Sequence, residues 1–398
     1  MCVMHRCWIM PRCHSDTRGL GGSGSLTRLC TKESLRMRSK QLIAAGSVMA
    51  LCSMQALAAE IGANLYGDLR YSVGYSDVED GADDFDFNSN NSHLGLSIGG
   101  AEGDLRVTAV YELGIDSGNT TSGSDDTRQA YLSVGSPYGT LAYGQLETTY
   151  KQAGQRLDPF YNTGVGTITG TPFGNAGAPV LGPSFGLSAL TSDTVDQGLI
   201  ANQVTYLSPT IANLTGNATI IFAENDRDNG GQTDFGVGVE YAANGILLGA
   251  QYLDIRATLN GTPNANFNAG LPDRTKATRV YGGYGTENWT LGASWEPLEI
   301  DGAPDRDYYF LSGTLRLNDS TRLAASLGYV ENVPFEGQSL SLGVFHELLT
   351  GLEAYAAARY SDRDEEAILN NGFAISDGAS VGELVLGINY QFSLAGLF

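Results

Sequence analysis

Residues 383–392 read Glu-Leu-Val-Leu-Gly-Ile-Asn-Tyr-Gln-Phe. Even positions (Leu384, Leu386, Ile388, Tyr390, Phe392) are apolar or aromatic, and odd ones (Glu383, Val385, Gly387, Asn389, Gln391) are mostly small or polar. A period of two marks a β-strand, because successive side chains point to opposite faces. The same alternation runs through 321–329, where Leu323, Ala325, Leu327 and Tyr329 oppose Arg322, Ala324, Ser326 and Gly328. It returns in 339–344, in 309–317 and in 61–75, where Leu65, Leu69, Tyr71 and Val73 carry the apolar set.

Extended along the chain, the pattern predicts sixteen strands, at 61–75, 92–100, 103–114, 127–135, 139–146, 199–208, 214–225, 232–243, 245–256, 277–286, 288–297, 306–317, 320–331, 337–348, 351–361 and 381–392. Connections alternate in length. Asn244-Gly245, Glu287-Asn288 and Asn318-Asp319 join strands almost directly, as hairpin turns do. Between them lie long segments rich in Asp, Asn, Gly and Thr, such as 76–91, 257–276 and 362–380. Short turns at one end and long loops at the other predict an all-β fold, a transmembrane antiparallel β-barrel. Lipid cannot hydrogen-bond a backbone, so a sheet that crosses it must close and leave no edge. A soluble sandwich, β-helix or propeller also alternates, but three features oppose it. Tyr66, Tyr75, Tyr206, Trp289, Trp295 and Tyr308 sit where interfacial girdles are expected. No self-similar repeat suggests blades or coils, and the second face is too polar and Gly-rich for a sandwich core.

All five Cys (2, 7, 13, 30, 52) and all six Met (1, 4, 10, 37, 49, 54) precede residue 55. Residues 37–58 begin with Arg38 and Lys40, continue through an apolar run and end in Ala56-Leu57-Ala58, the pattern of a signal peptide for export. The apolar core, about a dozen residues, is short of the roughly 20 that span a bilayer. Residues 1–36 have no period and read as translated upstream sequence, with Met37 the expected start. Residues 1–58 hold 8 of the 23 Lys+Arg and 2 of the 44 Asp+Glu, so the expected mature chain, 59–398, carries 15 basic and 42 acidic residues, a net −27. That excludes a nucleic-acid coat, which needs clustered Lys and Arg. Without Cys, a disulfide scaffold, a thiolate zinc site, an iron–sulfur cluster and a thiol nucleophile are excluded in 59–398.

Particular segments resemble the Gram-negative general porins. Residues 64–70 (Asn-Leu-Tyr-Gly-Asp-Leu-Arg) are similar to that family's first strand, and 93–96 with 103–113 to its second hairpin. The most specific match is 127–134 (Thr-Arg-Gln-Ala-Tyr-Leu-Ser-Val) followed by 138–145 (Tyr-Gly-Thr-Leu-Ala-Tyr-Gly-Gln), which leads into a long loop as in the family, and 202–209 resembles the strand that follows. The connection 147–197 is longer than usual for the family. The chain also runs past Phe392, the natural closing aromatic, to Phe398, so either could serve as assembly signal.

The resemblance implies a long third loop folded into the lumen (147–197), opposed rings of acid and base, a homotrimer in the outer membrane after export through the periplasm, and passive diffusion of ions and small hydrophilic solutes. Lumen charge keeps the pore wet, and opposed charges set a field across the constriction. The expected wall residues are Arg70, Arg106 and Arg128, since charge at the lipid midplane costs ~2 to 4 kcal/mol. The expected loop acids are Glu147 and Asp158, then Asp193 and Asp196. The acid excess implies cation preference, although the runs at 77–86 and 362–366 can serve surface solubility or bridge divalent ions to lipopolysaccharide. No cofactor, metal or nucleic-acid partner is expected. Residues 224–235 resemble a calcium loop only superficially, since Asn229 stands where an EF-hand needs Gly. His93 and His346, the two histidines of 59–398, have no nucleophile or carboxylate partner in the pattern. A substrate-selective channel is the nearest alternative, and a barrel enzyme or secreted adhesin a more distant one.

Overall fold

The computed structural model describes residues 60–79, 83–115, 127–161, 163–165, 199–222, 234–255, 275–300, 305–331, 337–363 and 380–395. The expected upstream extension and leader, as well as Asp193, Asp196 and Phe398, lie outside the described residues. The strands are β1 (Glu60–Val78), β2 (Asp84–Asn88), β3 (His93–Glu102), β4 (Leu105–Gly114), β5 (Thr127–Ser136), β6 (Gly139–Glu147), β7 (Leu199–Leu207), β8 (Leu214–Ile221) and β9 (Asp234–Ala243). They continue as β10 (Ile246–Ile255), β11 (Thr275–Gly285), β12 (Trp289–Ile300), β13 (Arg306–Arg316), β14 (Thr321–Glu331), β15 (Gly337–Leu349), β16 (Leu352–Arg363) and β17 (Val381–Ala395). One short helix, α1 (Thr149–Gln155), follows β6.

Every strand from β3 onward pairs antiparallel with the next, and β17 returns to β1, with Asn64 opposite Ala395 at one end and Val78 opposite Val381 at the other. β2 and β3 occupy one place in the wall. β2 lies along 72–76 of β1 and β3 along 60–68. Between them Asn90 and Asn91 adopt φ of 42° and 67°, and the Ser92 hydroxyl fills the gap by accepting the Arg70 backbone N–H at 2.7 Å. The result is a closed antiparallel barrel of sixteen strands, the fold class expected.

All sixteen expected strands have a counterpart. β2, within the expected long loop 76–91, is additional. Its Asp-rich sequence argues against a strand, but Phe87 stacks on Tyr71 at 6.0 Å and Phe85 packs on Tyr75 at 5.0 Å, which holds it to β1. Among the expected tight turns, Asn244-Gly245 is a two-residue turn with φ of 53° and 80°, the left-handed pair such a hairpin requires. The other two are looser, spanning 286–288 and 317–320. There side chains cap the backbone: Thr286 Oγ1 accepts Trp289 N at 3.2 Å, and Asn318 Oδ1 accepts Ser320 N at 3.0 Å.

The two faces of the wall differ as the alternation requires. Leu384, Leu386, Ile388 and Tyr390 are exposed while Val385 and Asn389 between them are buried, and β4, β12, β14 and β15 repeat the pattern. A continuous exposed belt of Leu, Val, Ile and aromatic side chains is unfavourable in water and fits a hydrocarbon solvent. No helix among the described residues is long and apolar enough to cross a membrane. Of the expected girdle, Tyr206, Trp289 and Trp295 are exposed on the outer face and Tyr75 shares that face with Phe85. Tyr66 and Tyr308 point inward. Tyr66 donates to Glu112 at 2.7 Å, and Tyr308 is buried beside Phe310. Position near a strand end does not select a face; parity along the strand does.

Glycine inside the strands makes room for rings that lie flat on the wall. Gly387 stands opposite Tyr355, and a Cβ there would strike that ring, whereas a Cβ on Gly382 of the same strand meets nothing within 4 Å. Gly387→Ala is therefore expected to lower unfolding stability by about 1–3 kcal/mol, and Gly382→Ala to leave it unchanged or slightly raised. Urea titration of the folded protein in detergent measures both; equal midpoints for the two variants would contradict the packing of Tyr355 over Gly387.

Candidate functional site

The inner face is polar and crowded because the chain after β6 turns back against it. Thr148 caps α1, its hydroxyl accepting Lys151 N at 3.2 Å. From there residues 149–161 and 163–165 contact the wall at strand after strand, from β8 round to β1. Tyr150 packs with Ile221, Leu253, Ala277 and Leu298, and Ala153 and Leu157 pack with Tyr281, Tyr308 and Phe310. Phe160 and Val165 pack with Ala324, Phe345, Tyr355, Ala357 and Val385. A segment can touch that many strands of a closed barrel only from within. The remainder of the expected loop, 166–198, lies outside the described residues.

Hydrogen bonds fasten this segment at intervals. Ser312 Oγ donates to the Leu157 carbonyl at 2.5 Å, Ser341 Oγ to Val165 O at 3.0 Å and Tyr355 Oη to Thr163 O at 3.0 Å. The strongest fastening is at Tyr150. Its hydroxyl donates to Glu296 Oε2 at 2.8 Å, its carbonyl accepts from Arg279, and the Arg279 guanidinium lies 4.3 Å from its ring centroid. Arg279 and Glu296 form an ion pair at 2.7 Å with 2% and 0% of their side chains exposed. Two charges so deep persist only with partners on all sides, and removing one leaves the other uncompensated.

The expected site residues separate into three groups. Arg128 and Glu147 come together beside the start of the segment: Arg128 lies 3.7 Å from Glu112 and 3.9 Å from Glu147, which also holds Lys151 at 3.0 Å. A bulge places Arg128 there. Between the pairs Tyr111–Ala130 and Leu113–Thr127, two residues of β5, Arg128 and Gln129, oppose Glu112 alone, and both turn inward. Gln145 satisfies the bulge by donating to the carbonyls of Thr127 and Arg128 at 2.8 and 2.9 Å. Burial opposes the Lys151 charge, but the Tyr161 phenol and the Glu147 carboxylate outweigh it and hold the ammonium above the ordinary lysine range. Arg70 reaches the segment directly. It forks onto Asp68 with two bonds of 2.7 Å and donates to Tyr161 O at 3.1 Å.

Asp158 and Arg106 are placed differently. Asp158 is buried, and its Oδ1 accepts the Phe160 N–H at 2.9 Å, so it shapes the turn after α1. Arg106 faces inward but sits one residue into β4, at the short-turn end, exposed and without an ion-pair partner among the described residues. Neither joins the Arg128–Glu147 cluster. The reading of the sequence also missed wall residues that meet the segment or pair beside it: Arg279, Glu296, Tyr355 and the Arg359–Glu383 pair. Each occupies an inward position of its alternating strand, a signal that is present but does not say which inward charges lie beneath the segment.

The chain matches the Gram-negative porin family over residues 44–366. No curated relative matches it at a significant level. Among solved structures it is similar to the anion-selective porin from Comamonas acidovorans, with a TM-score of 0.67 and 16% identity over 84% of this chain and 100% of that one. It is also similar to OmpT of Vibrio cholerae in its trimer form, with a TM-score of 0.59 and 19% identity over 84% of this chain and 100% of that one. OmpF of Salmonella typhi in complex with daunomycin gives a TM-score of 0.59 and 14% identity over 83% of this chain and 97% of that one. Identities this low establish the fold, and the family match, which covers more than half of the sequence, establishes membership: the chain belongs to the Gram-negative porins, outer-membrane channels built on a closed β-barrel.

Proposed function

We propose that this porin passes ions and small hydrophilic solutes by passive diffusion, works as a homotrimer in contact with lipopolysaccharide after signal-peptide removal and export through the periplasm, and prefers cations. The segment that follows β6 narrows the lumen, with Arg70, Arg128 and Glu147 at the constriction and Asp158 shaping its turn. The observation that carries this reading is the fastening of the segment after β6 to the inner wall at Tyr150, Leu157, Thr163 and Val165. A segment fixed at so many points sets a constant aperture, which is what size discrimination requires. Around it the cations are already neutralised: Arg70 by Asp68, Arg128 and Lys151 by Glu112 and Glu147, Arg156 by Glu240, Arg279 by Glu296 and Arg359 by Glu383. The acid excess of the chain then tips the remaining potential negative. Likeness to an anion-selective porin at 16% identity transfers no charge preference.

Purified protein in a planar bilayer under a salt gradient is expected to open in groups of three, with a reversal potential of cationic sign. An anionic sign would overturn the preference and leave the channel; silence from folded, inserted protein would overturn the channel. Glu296→Gln is expected to cost on the order of 3–5 kcal/mol, because it strands Arg279, and to release the segment at Tyr150. Folded Glu296→Gln should show larger or noisier single-channel steps than the parent, and steps of unaltered size and noise would mean that this segment does not limit the current.

A further inference from the structure

Near the short-turn end of the lumen, Arg316 of β13 stands directly opposite Arg322 of β14. Ser312 of β13 reaches the Leu157 carbonyl from the inner face, and Thr314 and Arg316 follow at the period of two, so both arginines face the lumen. Side chains directly opposite on one face have Cβ atoms about 5 Å apart, a distance at which like charges are unfavourable.

The two guanidinium groups differ in their surroundings. Arg322 is fixed in place: its Cζ lies 3.7 Å from the centroid of the buried Phe345 ring, and Nε and Nη2 donate to Glu353 at 3.3 and 3.0 Å. Among the described residues no hydrogen bond engages its Nη1 edge. Arg316 is exposed and has no ion-pair partner among the described residues. On the same face, the hydroxyls of Thr290 and Thr314 meet at 2.6 Å one step up the wall. Glu347, opposite Glu353, Asp319, in the turn after β13, and Glu287, next to the Asn288 carbonyl that accepts Arg316 N–H, are other nearby charges, and among the described residues none of them forms an ion pair with an arginine.

We infer that Arg316 and Arg322 form a binding site for the phosphate or carboxylate group of a permeating solute, held between the Nη1 edge of Arg322 and the fork of Arg316. The pair is then favourable when an oxyanion bridges it. Nearby carboxylates keep the local field weak, so recognition comes from the planar forks, which match oxyanion geometry as an ammonium does not. The site tolerates a channel that prefers cations overall, because it acts on one group at close range.

The inference rests on the channel reading, and one experiment separates the two. Single channels are recorded in potassium chloride while inorganic phosphate is added to one chamber and then, in a fresh insertion, to the other. Phosphate is expected to interrupt the chloride-salt current at lower concentration from one chamber, since the site lies nearer one mouth. Arg316→Gln, an exposed substitution checked for folding by its heat-modifiable gel shift, should raise the half-blocking concentration about tenfold, the equivalent of one charged hydrogen bond. Arg316→Lys should recover only part of that loss. Currents without phosphate block, block equal from both chambers, or block unchanged by Arg316→Gln would each overturn the site while leaving the channel intact. Full recovery by Arg316→Lys would overturn the forked recognition.

Discussion

The architecture depends on one constraint: in hydrocarbon a peptide group has no partner except another peptide group. A strand crossing the membrane needs a neighbour on both sides, so the first and last strands must find each other. β1 and β17 do so over fifteen consecutive pairs, Asn64–Ala395 through Val78–Val381. The exposed apolar belt, the inward polar face and the glycines that admit flat rings are what sixteen strands need once the wall is closed. Inside, the usual order of a globular protein is inverted, with charged and hydroxyl groups at the centre and Leu, Ile and Val outside.

This inversion explains how a segment can be held against the inner wall of the barrel. The inner face offers few apolar contacts, and the chain after β6 uses those available: Phe160 against Phe345 at 5.8 Å, and Leu157 among Tyr281, Tyr308 and Phe310. Hydroxyl donors from the wall take its carbonyls, and buried ion pairs brace it. Arginines in these pairs are spent on structure. A lumen can thus be rich in charge and yet present modest net charge to a passing ion, so counting acids and bases along the sequence overstates the field within.

The barrel was legible in the sequence because its signal is local: a period of two over about ten residues needs no knowledge of distant partners. Strand count, turn end and loop end followed from it. β2 was missed because its aspartates disguise the alternation of Phe85 and Phe87, which makes sense only against Tyr75 and Tyr71 of β1. Tyr66 and Tyr308 were misplaced because location in the strand was weighed ahead of parity. The site was legible only near its covalent start. Arg128, Glu147 and Arg70 lie close to where the segment begins or crosses β1, whereas Arg279 and Glu296 meet Tyr150 across more than a hundred residues. Such meetings depend on the path of the segment, which no local pattern encodes. Asp158, expected among the constriction acids, also accepts the Phe160 N–H in the turn after α1, a contact its sequence neighbours alone allow.

Closure by the two terminal strands also governs how the molecule comes into being. Asp68 of β1 accepts from Gln391 of β17, a contact spanning 323 residues. The wall cannot be completed until the final strand has left the ribosome, and every earlier intermediate has an open edge that would template association with other chains. Until then the alternating apolar stripes of its strands stay open to association with other chains. The pairing of β1 with β17, a contact of such long sequence separation, is expected to be slow.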